Sequence, residues 1–445
     1  MSHYKPYPAY KDSGVEWLGR VPEHWDVSRL RNCVEGSLSY GANEAAESDD
    51  PLNPRFIRIT DLNEDGTLRE DTFKSLPPDI AHPYLLKDGD VLLARSGATV
   101  GKSFIYRRDM GAACYAGYLI RARLFVSRVL PRLFWYYTQS SYYWSFIAGS
   151  NIQATIQNVS GEKYSNLWLV VPPITEQESI VFSLDHETAR IDALIEKKTR
   201  FIELLREKRQ ALITYAVTKG LDPNVKMKDS GVEWLGEVPE HWDVLQLRHT
   251  ARLESGHTPS RSKPEYWVDC TVPWFTLADV WQVRSGEQKY VSETAEKVSQ
   301  LGLENSSARL LPAGSVFLSR TASVGFPGIM AVDMATSQDF AVWTCTSELF
   351  NEYLYYVLLG MKPDFDRLMM GSTHKTIYMP DIEAIRIARP PVDEQRGIVS
   401  ALSGQLGRFK TVIDKTERSI ELLKERRSAL ITAAVTGQID LREAV

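Results

Sequence analysis

The chain has 445 residues, 43% hydrophobic and 24% charged, with a formal net charge of −5. This balance excludes a disordered, collagenous or disulfide-stapled protein, and the length suggests about three units with cores of their own. Basic and acidic residues number 19 and 19 in 1–172, 8 and 9 in 173–222, 16 and 21 in 223–390, and 9 and 8 in 391–445. No segment has the basic excess of a surface that binds phosphates throughout, so any nucleic-acid contact must come from local clusters. Cys33, Cys114, Cys270 and Cys345 form no CxxC pair, which points away from a zinc site and toward a reducing, cytoplasmic setting. The N-terminus is polar, and no apolar run approaches the ~20 residues of a membrane span.

In chain order, Gly89–Ala94 is a short apolar run bounded by Gly and Asp and is expected to be a strand. Leu130–Ile147 is expected to be an aromatic-rich helix. A long helix is expected to begin after Pro-Pro at Thr175, with Glu178 completing a capping box. In the second half, Gly314–Ser319 repeats the strand pattern and Leu349–Met370 the aromatic helix. A second long helix is expected from Asp393, where Arg396 replaces the capping-box acid.

The chain is written twice. Lys11-Asp-Ser-Gly-Val-Glu-Trp-Leu-Gly-Arg-Val-Pro-Glu-His-Trp-Asp-Val27 returns as residues 228–244 with Arg20 against Glu237 as the only difference, at a shift of 217. Pro172-Pro-Ile-Thr-Glu-Gln177 matches Pro390-Pro-Val-Asp-Glu-Gln395 at a shift of 218. Glu203-Leu-Leu-Arg-Glu-Lys-Arg-Gln-Ala-Leu-Ile-Thr214 matches residues 421–432 at that same shift. Between these anchors only traces survive, such as Arg95-Ser-Gly-Ala-Thr-Val-Gly101 beside Arg320-Thr-Ala-Ser-Val-Gly325. Three registered matches require a tandem duplication, with a constant frame around a divergent middle.

The terminal helices carry an alternating 3-4 stripe. In the first it runs through Leu184, Ile191, Ile195, Ile202, Leu205 and Leu212. In the second it runs through Leu402, Phe409, Ile413, Ile420, Leu423 and Leu430. Such a stripe with charged flanks is a coiled-coil seam, and about 36 residues at 1.5 Å each span roughly 55–60 Å. The expected class is therefore α+β: a tandem duplication with two mixed α/β domains, 1–172 and 223–390. Two long helices, 173–222 and 391–445, separate them, packed as an antiparallel coiled coil.

Chemical motifs are sparse. Ser96-Gly-Ala-Thr-Val-Gly-Lys-Ser103 follows a strand and approaches a P-loop, but Ser96 stands where the first glycine belongs and Phe326 replaces Lys102 in the second copy. His24 and His241, in the repeated Pro-Glu-His-Trp, have no nucleophile or metal partner at fixed spacing, which favours packing or protein docking over catalysis. The aromatic clusters at 134–137, 142–144 and 353–356 read as core more readily than as base-stacking platforms. Polar loop residues are better candidates for reading bases or gripping phosphates. In the first half these are Arg58, Thr60, Arg95, Ser96, Thr99, Lys102, Gln153 and Thr155. In the second they are Thr258, Ser260, Arg261, Lys263, Arg320, Thr321, Ser323, His374, Lys375 and Thr376. No catalytic constellation and no metal-ligand set is present, so the chain is not expected to be an enzyme.

Two variable domains, each followed by Pro-Pro-x-x-Glu-Gln and a Glu-Leu-Leu-x-Glu-x-Arg-x-x-Leu-Ile helix, resemble the specificity subunit of type I restriction–modification enzymes. Gly256-His-Thr-Pro-Ser260, Tyr266-Trp267 and Val272-Pro-Trp274 resemble the opening of that family's target recognition domain, while Ser37-Leu-Ser-Tyr-Gly41 lacks the Thr-Pro-Ser. The resemblance implies a non-catalytic reader of double-stranded DNA, each recognition domain taking one half of a bipartite, asymmetric target. It implies two methyltransferase (modification) subunits as partners, and restriction/translocase subunits, with no membrane partner. The chain would bind no cofactor of its own; S-adenosylmethionine, ATP and Mg would belong to the partners, in a complex that is a DNA adenine methyltransferase and ATP-dependent endonuclease. The competing readings are a coiled-coil scaffold without DNA readout and a P-loop NTPase.

Overall fold

The computed structural model describes residues 4–63, 67–150, 158–369 and 376–442. Its backbone divides into two units, one of residues 1–199 with 418–445, the other of residues 200–417. Each holds one divergent middle, the first part of one long helix and the last part of the other. Among the described residues no helix is long and apolar enough to cross a membrane.

The first unit opens with a hairpin, Tyr10–Asp12 against Arg20–Pro22, then Asp26–Arg29 paired antiparallel with Trp168–Val171. Its main sheet has the order Ser39–Tyr40, Leu119–Ala122, Val91–Ala94, Ser103–Ile105, all antiparallel. Val91–Ala94 is fully buried, so this central strand appears in sequence as an unbroken apolar run rather than an alternating one. Arg55–Ile57 pairs in parallel with Ala113–Tyr115 beside it.

The second unit repeats the frame. Met227–Asp229 pairs with Glu237–Pro239, and Asp243–Gln246 with Arg386–Arg389. The sheet order is Ala251–Ser255, Phe340–Cys345, Val316–Ser319, Pro327–Met330, and then Tyr290–Val291 added in parallel. A separate three-stranded sheet of Glu296–Val298, Val272–Phe275 and Ala335–Thr336 replaces the two-stranded pair of the first unit.

The two aromatic-rich segments each form two helices. Pro131–Tyr137 and Ser141–Ser150 are divided where Thr138 and Ser140 donate their hydroxyls to the carbonyls of Trp135 and Tyr137, at 2.6 and 2.7 Å. Such back-bonding competes with helix propagation. Asn351–Gly360 and Lys362–Leu368 are divided at Met361, and Pro363 lies in the first turn of the second. Leu133 to Tyr137, Tyr143, and Tyr353 to Tyr356 are buried, so these aromatics pack the core. Burial raises the phenols of Tyr143 and Tyr353 well above their ordinary range.

The first long helix spans Ile174–Lys219 and the second Val392–Val435. Both start one residue before the expected cap. Pro173 O accepts from the N–H groups of Glu176 and Gln177, both at 2.9 Å, so Thr175 lies inside the first turn rather than capping it. Between 191 and 209 the sheltered positions are 191, 195, 198, 202, 205 and 209, while those between them are exposed. Along the second helix, Leu402, Ile413 and Leu430 are buried and Phe409, Ile420 and Leu423 half-buried. In the first unit Leu184, Ile191 and Leu430 share one core, and Arg427 Nε donates to Asp192 at 2.9 Å. In the second, Leu212 and Leu402 share a core and Arg206 Nη2 donates to Glu417 at 3.0 Å. Within each unit the two helix segments therefore pack on one another.

Candidate nucleic-acid interface

The repeated motifs meet in space. In the first unit Glu176 accepts from three side chains: Trp25 Nε1 and the Tyr7 hydroxyl on Oε1, at 3.1 and 2.5 Å, and His24 Nε2 on Oε2 at 2.8 Å. In the second, Glu394 takes Trp242 Nε1 at 3.0 Å and His241 Nε2 at 2.9 Å. Burial, then the Glu176 carboxylate, pushes the Tyr7 phenol far above its usual range. The adjacent glutamine is fully buried in both units. Gln177 donates to Pro172 O and Arg128 O and accepts from Leu130 N, each at 2.8 Å. Gln395 does the same with Pro390 O, Glu348 O and Phe350 N at 2.8, 2.9 and 2.7 Å. The Glu-Gln pair thus fastens a helix start to the hairpin on one side and to the aromatic helix on the other. His24 and His241 are parts of this clamp.

The small-residue turn is also common to both units, and it joins strand to strand. Gly101 N–H donates to Ala94 O at 3.0 Å and Gly325 N–H to Ser319 O at 2.8 Å. Both glycines are left-handed (φ +85° and +84°), and a Cβ on Gly101 would sit 2.9 Å from the Trp144 ring. Because Ser103–Ile105 follows as a strand, the turn lacks the helix N-terminus that a P-loop supplies to phosphate. That excludes the NTPase geometry.

Around this turn the structure gathers Arg95, Ser96, Thr99 and Lys102 in the first unit and Arg320, Thr321, Ser323 and Thr376 in the second. Ser96 bridges Asn158 and Thr321 bridges Thr376. Val159 N donates to Arg95 O, and Ile377 N to Arg320 O, both at 2.8 Å. Gln153, Thr155, His374 and Lys375 lie outside the described residues. Ser323 Oγ accepts from Arg284 at 3.1 Å, a neighbour with no motif of its own in the sequence.

The remaining candidates are engaged within their own domains. Arg58 forms a bidentate pair with buried Asp61 (3.1 and 2.7 Å) and donates to Thr72 O at 2.6 Å, so its planar fork is occupied. Thr60, exposed, donates to the same carboxylate at 3.3 Å. Arg261 pairs with Glu296 and lies 3.8 Å over Trp267. Lys263 donates to the Tyr266 hydroxyl at 3.1 Å, which raises its pKa. Ser260 and Ser262 share a hydrogen bond of 2.8 Å. Thr258 donates to Gln338 Oε1 at 2.7 Å, and Gln338 O accepts from Arg320 at 2.7 Å. Those two bonds bring the 258–263 loop to the 320–325 turn, a juxtaposition that spacing alone does not show.

Residues 239–423 match the family of type I restriction modification DNA specificity domains. The chain is 21% identical over 438 residues to the type I restriction enzyme MjaVIII specificity subunit of Methanocaldococcus jannaschii, covering 95% of each. To the EcoKI specificity subunit of Escherichia coli K12 it is also 21% identical, covering 95% of this chain and 90% of that one. A solved chain from a study of type I R-M complex assembly superposes with a TM-score of 0.73 at 16% identity, over 94% of this chain and 99% of that one. With the doubled clamp and the two divergent middles, these matches place residues 239–423 in the type I restriction modification DNA specificity domain family, and the chain as a whole is similar to the specificity subunits of type I restriction–modification systems, the non-catalytic subunits that recognise DNA.

Proposed function

We propose that this subunit reads a bipartite, asymmetric double-stranded target, with residues 1–172 taking one half and 223–390 the other. The long helices, packed along their seams, set the spacing between half-sites, as protein geometry does in dimeric DNA binders. The doubled frame offers two copies of one docking surface, suited to two methyltransferase subunits in pseudo-two-fold arrangement, with restriction subunits joining them. S-adenosylmethionine, ATP and Mg are assigned to those partners.

The observation that carries this reading is the contrast between frame and middle. The clamps at Glu176-Gln177 and Glu394-Gln395 repeat the same histidine, tryptophan and glutamine bonds, with the Tyr7 hydroxyl on Glu176 as the one addition, while the strands and loops beside the shared turn differ in number and chemistry. Identical frames suit identical partners, and unlike middles suit unlike ligand segments. The test is an exchange of residues 223–390 for another recognition domain, followed by mapping of methylated sites. One half of the target is expected to change. Change in both halves, or in neither, refutes the modular reading, and absence of any sequence-dependent DNA binding in the assembled complex favours a scaffold without readout.

A further inference from the structure

Arg95 and Arg320 occupy the same place in their units. Each follows the last residue of the central strand, and each N–H donates to the strand start beside it, Arg95 to Tyr118 O at 3.0 Å and Arg320 to Asp339 O at 2.9 Å. Each carbonyl accepts from the returning segment, as described above. In both, Nε is buried and has no hydrogen-bond partner among the described residues. Only the two Nη atoms of either guanidinium are left to act.

What those Nη atoms do differs, and the strand alignment explains why. Tyr40 pairs with Ile120 in the first unit, and Ser255 pairs with Ala341 in the second, at the equivalent step. Tyr40 is large enough to hold the arginine: the Arg95 guanidinium carbon lies 5.0 Å from its ring centroid, and the Tyr40 hydroxyl is itself fixed by Gly161 N–H at 2.8 Å. No hydrogen bond to a described residue uses the Arg95 fork. Ser255 offers no ring. Arg320 turns instead to the carbonyls of Gln338 and Ile377, at 2.7 and 3.4 Å. The next position is also unlike: Tyr118, 59% exposed, stands where the second unit has the carboxylate of Asp339.

We propose that Arg95 is a DNA-contacting residue and that Arg320, its counterpart, is a structural clasp, so the two halves grip the duplex through non-equivalent residues. A guanidinium stacked on a ring keeps its plane and offers its two terminal donors end-on. A pair of acceptors fits that fork, either two phosphate oxygens or the O6 and N7 of a guanine. An arginine whose donors already serve two carbonyls, next to an anion, does not present that fork to a phosphate-rich ligand. The inference rests on the bipartite-reader assignment above.

Matched variants Arg95→Gln and Arg320→Gln, in the complete chain with its modification subunits, test it on a library of randomised duplexes. Gln at 320 keeps an amide donor for the Gln338 carbonyl while removing the charge, which protects the fold. The wild-type complex must first select a motif; if it selects none, the underlying reader assignment fails. Given a motif, Arg95→Gln is expected to weaken binding about ten- to a hundredfold. A uniform loss with a salt slope reduced by about 1 identifies a phosphate contact, and relaxation at one base position identifies a guanine contact. Arg320→Gln is expected to keep affinity and salt slope and to lower the melting temperature instead. Full-strength, unaltered selection by Arg95→Gln overturns the proposal, as does an equal loss of affinity and salt slope in Arg320→Gln.

Discussion

Replacing Gln395 by Ala removes a fully buried carboxamide that satisfies two carbonyls and one N–H. A buried polar group left unpaired costs about 1–3 kcal/mol, and water can re-enter at the partly exposed Phe350 N–H, so the loss is about 3–5 kcal/mol. For units of roughly 200 residues this lowers the melting temperature of the affected unit by about 6–20 °C. Gln177→Ala is expected to cost the same in the first unit, because its three bonds are the same. The two losses should add, since the sites share no partner. Gln→Glu at either position is expected to cost more than Gln→Ala: the carboxylate donates nothing and turns a buried charge toward two carbonyls. Differential scanning calorimetry of the four single variants and the double alanine variant, with exposed Gln405→Ala as a control expected within ~0.5 kcal/mol, measures all of this. If Gln395→Ala behaves like the control, the Pro-Pro-x-x-Glu-Gln motif does not hold the fold in the way argued.

Three further outcomes follow from the same geometry. Inserting one heptad into both long helices keeps the seam in phase and adds about 10 Å at 1.5 Å per residue; methylated-site mapping should show the spacer longer by about three base pairs at ~3.4 Å each, and an unchanged spacer would count against the ruler role. Lys102→Ala should leave nucleotide-analogue binding at the background level of the wild-type chain, because the turn leads into a strand; saturable binding lost in the variant would restore the P-loop. Burial pushes the thiols of Cys114 and Cys345 up to about 12, so both stay protonated at pH 8 and should resist alkylation there; labelling at the rate of a free thiol would contradict that burial.

Local and periodic features were legible in the sequence. The 3-4 stripe through Ile191, Ile195, Ile202 and Leu205 coincides with the sheltered positions of the first long helix. The apolar runs at 91–94 and 316–319 are central strands. Long-range partnerships were not legible. The spacing around His24 offers it no partner because Glu176 lies 152 residues away and meets it only through the hairpin-to-helix packing. Arg58 reads as a free loop cation, yet the buried carboxylate three residues on occupies its fork. Tyr40 carries no signal of its own, since its place beside Arg95 emerges only when the strands are aligned and it takes the step that Ser255 holds in the second unit. The aromatic segments read as single helices because periodicity does not register hydroxyls that bond back to the backbone or a proline in the first turn of a new helix.

The most direct measurement is a genome-wide map of methylated sites in cells making the complete complex, with and without this subunit. Two short specified blocks at one fixed separation, unlike each other and lost together when the subunit is absent, are the expected pattern. A single contiguous palindromic motif, or blocks whose separation varies from site to site, would contradict two dissimilar readers held by a doubled scaffold.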